Sequence, residues 1–134
     1  MRTRDDLETL FLRLDVDYEE LEEGMFLIKP ETEGVPPVVI NFTPPLLLIR
    51  VKVMDLPDEK GSKELYRSLL EMNAQDVVHG AYGIEEGELI ISDTLELETL
   101  DFEELQASVE SLLMAVSSHM KTIKSLAGAA SEGA

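Results

Sequence analysis

Apolar side chains recur at helical spacing near both ends of this chain and alternate with polar ones in between. The first stripe has a period of three to four residues and predicts an amphipathic helix. It consists of Leu7, Leu10, Phe11 and Leu14. Thr3 precedes the stripe and is the expected N-cap of this helix. The acidic stretch that follows, residues 19–23, is interpreted as a solvated connection.

Three apolar segments in the first half of the chain predict strands, at residues 25–29, 38–42 and 46–54. Proline pairs interrupt the chain before the second and third of them, since proline cannot donate to a sheet. In the third segment the alternation places Leu47, Ile49, Val51 and Val53 on one face and Leu46, Leu48, Arg50 and Lys52 on the other. A second amphipathic helix is predicted over about residues 59–72.

The second half of the chain predicts a β-hairpin followed by a long helix. The strands are expected at residues 79–84 and 88–97, and Gly87 suits the turn between them. Asp101 and Glu104 form a capping-box pattern at the start of the last helix. Gly128 is the expected C-terminal stop.

This order of elements, α-β-β-β-α-β-β-α, predicts an α+β fold. Short connections favour an antiparallel meander of the first three strands, which the hairpin extends to a five-stranded sheet. The first and last helices are expected to pack on one face of that sheet. We expect one domain over residues 1–126 and a flexible C-terminal tail over residues 127–134.

The formal charge of −17 changes the list of possible partners. It disfavours nucleic acid and anionic lipid surfaces but tolerates a basic or neutral polypeptide. A simpler interpretation is that the charge only keeps a small protein soluble. The absence of cysteine and of an apolar run of about 20 residues favours a cytoplasmic location and argues against a membrane protein.

No arrangement of residues in the sequence predicts a catalytic or metal site. His79 and His119 are the only histidines, and neither has further ligands at metal-binding spacing. There is no nucleophile elbow and no phosphate-binding loop. We therefore expect no enzymatic activity, no cofactor and no metal.

Two further patterns concern partners. Five of the eleven basic residues lie between positions 50 and 67, where they either pair with nearby glutamates or dock a partner. Residues 38–40 and 46–49 are apolar at consecutive positions, so both faces of the sheet carry apolar side chains. The face away from the first and last helices needs a cover, which is either the middle helix or another chain.

One stretch of the sequence resembles a known family. It runs from the Leu-Leu-Glu-Met-Asn helix end at residues 69–73, through His-Gly-Ala-Tyr-Gly-Ile at 79–84, to Leu-Asp at 100–101. Together with the order of elements, it is similar to the YbjN and type III secretion chaperone-like superfamily. The resemblance implies a strongly bent antiparallel sheet, a homodimer, a polypeptide client and no enzymatic role.

Two hypotheses about function follow from these patterns. The first is a dimeric, non-enzymatic polypeptide-binding protein like the class I secretion chaperones. The second is a YbjN-like regulatory or sensory protein that binds another protein or a small ligand. For the first, we expect the subunit contact at Leu65, Tyr66, Leu69 and Leu70 and the client contact at Leu48, Arg50 and Lys52.

Overall fold

The computed structural model describes residues 1–31, 33–56 and 63–132, which form three helices and one sheet in these ranges. The helices are α1 (Arg4–Leu14), α2 (Lys63–Gln75) and α3 (Phe102–Glu132). The strands are β1 (Asp17–Glu22), β2 (Met25–Lys29), β3 (Val38–Thr43), β4 (Leu46–Asp55), β5 (Ala81–Glu85) and β6 (Glu88–Glu96). None of the helices in these ranges is both long and apolar enough to cross a bilayer.

All neighbouring strands are antiparallel, in the order β1-β2-β3-β4-β6-β5. The α+β fold predicted from the sequence is therefore confirmed, with a meander that the β5–β6 hairpin extends. The expected number of five strands is wrong, because the sheet has six. The additional strand is β1, at one edge, which the sequence pattern assigned to a solvated connection.

Strand β1 forms because its inward side chains pack against, or form hydrogen bonds with, residues of neighbouring elements. Tyr18 faces the core, where its ring lies 5.1 Å from that of Phe11 and 6.2 Å from that of Phe26 between centroids. Glu20, on the same face, accepts hydrogen bonds from the Arg4 guanidinium and from the backbone N–H of Gly24 at 3.0 Å. An acidic stretch can thus occupy an edge strand when its alternate residues have inward partners.

The three helices pack on one face of the sheet, over a single hydrophobic core. The inward residues of the central strand β4, including Ile49 and Val51, are completely buried in this core. Leu65 and Leu69 of α2 belong to the same core as the buried residues of α1 and α3. The middle helix therefore does not supply the cover that the opposite face was predicted to need.

The predicted helix starts are confirmed where the structure describes them. Thr3 caps α1 in a reciprocal capping box with Asp6, and Asp101 accepts a hydrogen bond of 2.8 Å from the Glu104 N–H at the start of α3. The expected first turn of the middle helix lies in residues 57–62, outside the described residues.

The stop predicted at Gly128 is wrong, because α3 continues to Glu132 and the preceding Ala127 is buried. The flexibility of the tail stays a prediction.

The β5–β6 hairpin turns on two residues of positive φ, Glu86 (50°) and Gly87 (78°), as expected for a tight two-residue turn. On β6, Asp93 lies one residue beyond the pairing with β5, so β4 is its only strand neighbour, and it is partly buried. It faces the helices and accepts a 2.8 Å hydrogen bond from the hydroxyl of Ser108, a buried residue of α3. This bond satisfies a carboxylate that would otherwise interrupt the apolar face.

Candidate protein-binding surfaces

An apolar groove of about 240 Å³ opens between α2 and β5. We call it the α2–β5 groove; it is lined by Tyr66, Leu69, Leu70, Asn73, Tyr82, Gly83, Ile84 and Leu89. None of these lining residues is charged. Leu70 is 69% exposed and Ile84 is 52% exposed, so two large apolar side chains face solvent at its rim. Apolar rims of this kind are typical of contacts with another molecule.

The four residues expected at a subunit contact divide between the core and this groove. Leu65 is fully buried in its own chain, so it supports the helix from beneath. Tyr66, Leu69 and Leu70 line the groove. The structure thus brings three of the four together at an open surface, with Leu70 as the most accessible of them.

The edge strand β5 is covered at one residue by the end of α2. The side chain of Asn73 accepts a hydrogen bond of 2.7 Å from the Tyr82 N–H and donates one of 3.2 Å to the Tyr82 carbonyl oxygen. An amide side chain carries both N–H donors and a carbonyl acceptor, as the backbone of a neighbouring strand does. This pairing gives a physical role to the asparagine of the Leu-Leu-Glu-Met-Asn pattern.

Behind the groove, three polar side chains form a hydrogen-bonded chain. The Tyr82 hydroxyl lies 2.8 Å from Nδ1 of His119, and Nε2 of His119 lies 3.1 Å from a carboxylate oxygen of Asp76. The carboxylate can only accept, so Nε2 donates to it, and in the neutral tautomer of the imidazole Nδ1 then accepts from the tyrosine hydroxyl. Burial, and to a smaller extent the charge of Asp76, raise the pKa of Tyr82 to about 12. The phenol therefore stays neutral and ties β5 to α3.

The face of the sheet away from the helices carries the three residues expected at a client contact. Leu48 is partly exposed there, and the register places the partly exposed Val39 and Leu27 on the same face. Arg50 and Lys52 follow Leu48 along β4 on this face. Apolar and basic side chains therefore share this face, where Val39 lies directly opposite Arg50.

These two basic residues are paired within the chain. Arg50 donates to Glu85 at 3.0 Å, and Lys52 lies 3.0 Å from Asp55 and 2.6 Å from Glu88. The two carboxylates raise the pKa of Lys52 through hydrogen bonds. This favours the simpler interpretation of the basic region, in which its cations pair with nearby acids. Lys60, also in that region, lies outside the described residues.

A second groove, of about 680 Å³, separates the loop before β5 from α3. We call it the α3–loop groove; it is lined by Gln75, Asp76, Val78, His79, Ala107, Glu110, Ser111, Met114, Ala115, Ser118 and His119. Sequence reasoning missed it, because its two walls are about 30 residues apart in the chain. The only local signals were two apolar residues outside the buried stripes, Val78 and Met114.

In the described ranges, no group of three or more histidine and carboxylate side chains could hold a metal ion. Within the same ranges, every buried side-chain nitrogen and oxygen has a hydrogen-bond partner. The His119 side chain connects the residue after α2, Asp76, and strand β5, through Tyr82, to α3.

Several solved structures share this fold. A chain of the ExoU–SpcU complex of the Pseudomonas aeruginosa type III secretion system matches with a TM-score of 0.69 and 13% identity, over 86% of this chain and 95% of that chain. YbjN of E. coli matches with a TM-score of 0.65 and 14% identity, over 88% and 91%. The complex of the Yersinia pestis type III secretion chaperone SycH with a YscM2 fragment matches with a TM-score of 0.60 and 16% identity, over 84% and 94%.

At these identities the likeness shows a common fold. No curated protein matches the sequence. A family model does match: CesT_Tir_1 covers residues 2–129, nearly the whole chain. The chain therefore belongs to the CesT_Tir_1 family, within the type III secretion chaperone and YbjN-like superfamily that its sequence pattern resembles.

Proposed function

We propose that this protein is a non-enzymatic, homodimeric polypeptide-binding protein of the cytoplasm, with a chaperone-like role. The observation that carries the proposal is the open α2–β5 groove, whose apolar rim a single chain leaves in water. Membership of the CesT_Tir_1 family and the fold shared with chaperone complexes support it.

The proposed subunit contact is the exposed side of α2 around Leu70, together with Tyr66 and Leu69. A two-fold contact brings the same surface of both copies together, so the rim of each groove is covered by the rim of the other. Arg67 and Glu71 lie one turn apart on exposed positions beside Leu70 and form an ion pair of 3.1 Å. Charges of opposite sign on one surface are compatible with a contact between two copies.

Sedimentation velocity at micromolar concentration tests the dimer. Replacing Leu70 with glutamate places a charge in the proposed contact and is expected to produce monomers, because burying an unpaired charge is costly. The matched control is Leu12→Glu on α1, since Leu12 is 70% exposed, against 69% for Leu70. A wild-type protein that is strictly monomeric, or a Leu70→Glu protein that is still dimeric, contradicts this contact.

The proposed client contact is the face of the sheet away from the helices, at Leu48, Arg50 and Lys52. In this proposal, an extended client segment packs apolar side chains against Leu48. Its acidic side chains bind Arg50 and Lys52 and replace the carboxylates of the chain itself as their partners. A photoreactive residue at position 48 tests this in cells of the native host. We expect it to crosslink a polypeptide, and the same residue at exposed Thr99 to crosslink none.

The alternative function, a regulatory protein that senses a small ligand, is favoured by one observation. The α2–β5 groove is small and its described lining has no charge, which suits a compact apolar molecule. The two functions compete for the same groove, since a dimer that covers it excludes a ligand. A monomer that binds a small neutral fluorophore such as N-phenyl-1-naphthylamine there, with Leu70→Glu abolishing binding, favours the sensory protein over the chaperone.

A further inference from the structure

The α3–loop groove has one strongly exposed apolar side chain on each wall. Val78 of the loop is 81% exposed and Met114 of α3 is 69% exposed. Single exposed apolar residues are ordinary on protein surfaces. Val78 and Met114, however, line the same groove from opposite walls. An apolar group that enters the groove can therefore contact both of them.

The loop wall is held in place on either side of Val78. Before it, Asp76 accepts from Nε2 of His119 at 3.1 Å. After it, the backbone N–H of His79 donates to the Ser111 hydroxyl at 3.0 Å, and that hydroxyl donates back to the His79 carbonyl at 3.3 Å. The two ties fix Val78 in an exposed position before any partner arrives. A wall already ordered in this way reduces the entropy lost on binding.

The charge of the groove selects among partners. Asp76 and Glu110 line it together with His79 and His119, and no lysine or arginine is among its described lining residues. Asp76 is bonded to His119, so Glu110 is the carboxylate left to meet a partner's cation. Glu110 precedes Met114 by four residues, so the carboxylate and the thioether lie on the same side of α3. A lysine or arginine side chain combines an aliphatic stem with a cation, which matches an apolar wall beside a carboxylate.

The length of the groove sets the size of the partner segment. Its lining on α3 runs from Ala107 to His119, which corresponds to about 18 Å of helix at 1.5 Å per residue. An extended peptide advances about 3.3 Å per residue, so roughly five residues fit along it.

We propose that the α3–loop groove binds a short extended segment of a partner polypeptide in which arginine or lysine alternates with aliphatic residues. The site is separate from the α2–β5 groove and from the outward face of the sheet. The proposal stands independently of the dimer, because it uses only residues of one chain.

Titration of the isotope-labelled 134-residue chain with three synthetic pentapeptides tests it by NMR. The peptides are capped Leu-Arg-Leu-Arg-Leu and its counterparts with glutamine or glutamate in place of arginine. We expect the arginine peptide to shift the amide signals of residues 76–79 and 110–119. The glutamine peptide lacks both cations, and we expect it to bind at least tenfold more weakly, which corresponds to the loss of one or more charge-assisted contacts. We expect the glutamate peptide not to bind.

Glu110→Gln removes one carboxylate while keeping the size of the side chain. We expect it to lower the affinity for the arginine peptide severalfold. The matched control is Glu103→Gln, an exposed position on the same helix outside the groove, which should leave binding unchanged. Equal binding of the arginine and glutamine peptides, shifts confined to the α2–β5 groove, or no shift at all overturns the proposal. Sedimentation of the same samples reports separately on the dimer, so failure of either claim is recognisable.

Discussion

Asn73 uses both ends of its side-chain amide on a single residue, Tyr82, at distances of 2.7 and 3.2 Å. The arrangement occupies the outward main-chain groups of Tyr82, one of the points at which β5 could otherwise pair with another strand. Edge strands with free main-chain groups promote unwanted association, and natural proteins commonly cover them. Asn73 therefore both stabilises the end of α2 and restricts where a further strand could join the sheet.

Replacing Asn73 with aspartate tests this pairing. A carboxylate can accept from the Tyr82 N–H but cannot donate to the Tyr82 carbonyl oxygen, so one partly buried acceptor loses its partner. We expect the free energy of unfolding to fall by about 1–3 kcal/mol in urea titrations, with faster amide exchange near Tyr82. Asn41→Asp, on the outward face of β3, is the control and should change stability far less. Equal losses in the two proteins would contradict a specific role for Asn73.

Gly80 is predicted to tolerate no side chain. Its φ is +90°, and a Cβ atom there would lie 2.5 Å from the Ser92 carbonyl oxygen and 2.7 Å from Cδ2 of Leu112. Gly80→Ala should therefore lower the free energy of unfolding by about 3 kcal/mol, through backbone strain and overlap together. Gly34→Ala isolates the strain, because Gly34 has a φ of +83° with nothing within 4 Å of a Cβ. If Gly80→Ala lowers the free energy of unfolding no more than Gly34→Ala does, the atoms around Gly80 move to make room for the methyl group, and the prediction is wrong.

Elements with local signals could be predicted from the sequence. Thr3 and Asp101 each mark a helix start within one turn, and Gly87 marks the hairpin. Strand β1 could not be predicted, because the inward position of Glu20 depends on its pairing with Arg4, which is 16 residues away in the chain. The end of α3 was missed for a similar reason: burial of Ala127 against the core overrides the local preference of glycine to end a helix.

The candidate site was predictable only in part. Helical periodicity identified Leu69 and Leu70 as neighbours on α2 but could not tell the buried one from the exposed one. The hydrogen-bonded chain of Asp76, His119 and Tyr82 joins residues 37 and 43 positions apart, so no spacing in the sequence indicates it. Sites that combine distant segments become visible only once the sheet order is known.

Tyr82 makes the stability of the fold depend on pH in the alkaline range, where stability is lost as the pH rises. Its folded-state pKa of about 12 lies above the ordinary value of 10.0, so its contribution is complete below pH 10 and is lost as the pH rises towards 12. The unfolded chain releases the phenol proton first, which favours unfolding over that range. Urea titrations between pH 9 and 11 should show a steeper loss for the wild type than for Tyr82→Phe, which has no proton to release. Tyr66→Phe is the control for general tyrosine ionisation, and parallel pH profiles for all three proteins would contradict the assignment.

Glu20 makes the stability of the fold depend on pH in the acidic range, where stability is lost as the pH falls. The Arg4 guanidinium first, and then the Gly24 N–H, lower the pKa of Glu20 from 4.5 to about 2. Its contribution is therefore present above pH 4.5 and is lost as the pH falls towards 2, because the unfolded chain takes up the proton first. Glu20→Gln cannot titrate, so the stability difference between wild type and variant should shrink over that interval. Glu22→Gln, at the exposed end of the same strand, should keep the pH profile of the wild type. A difference between wild type and Glu20→Gln that stays constant from pH 5 to pH 2 would mean that the Arg4–Glu20 pair does not hold β1 against α1 in solution.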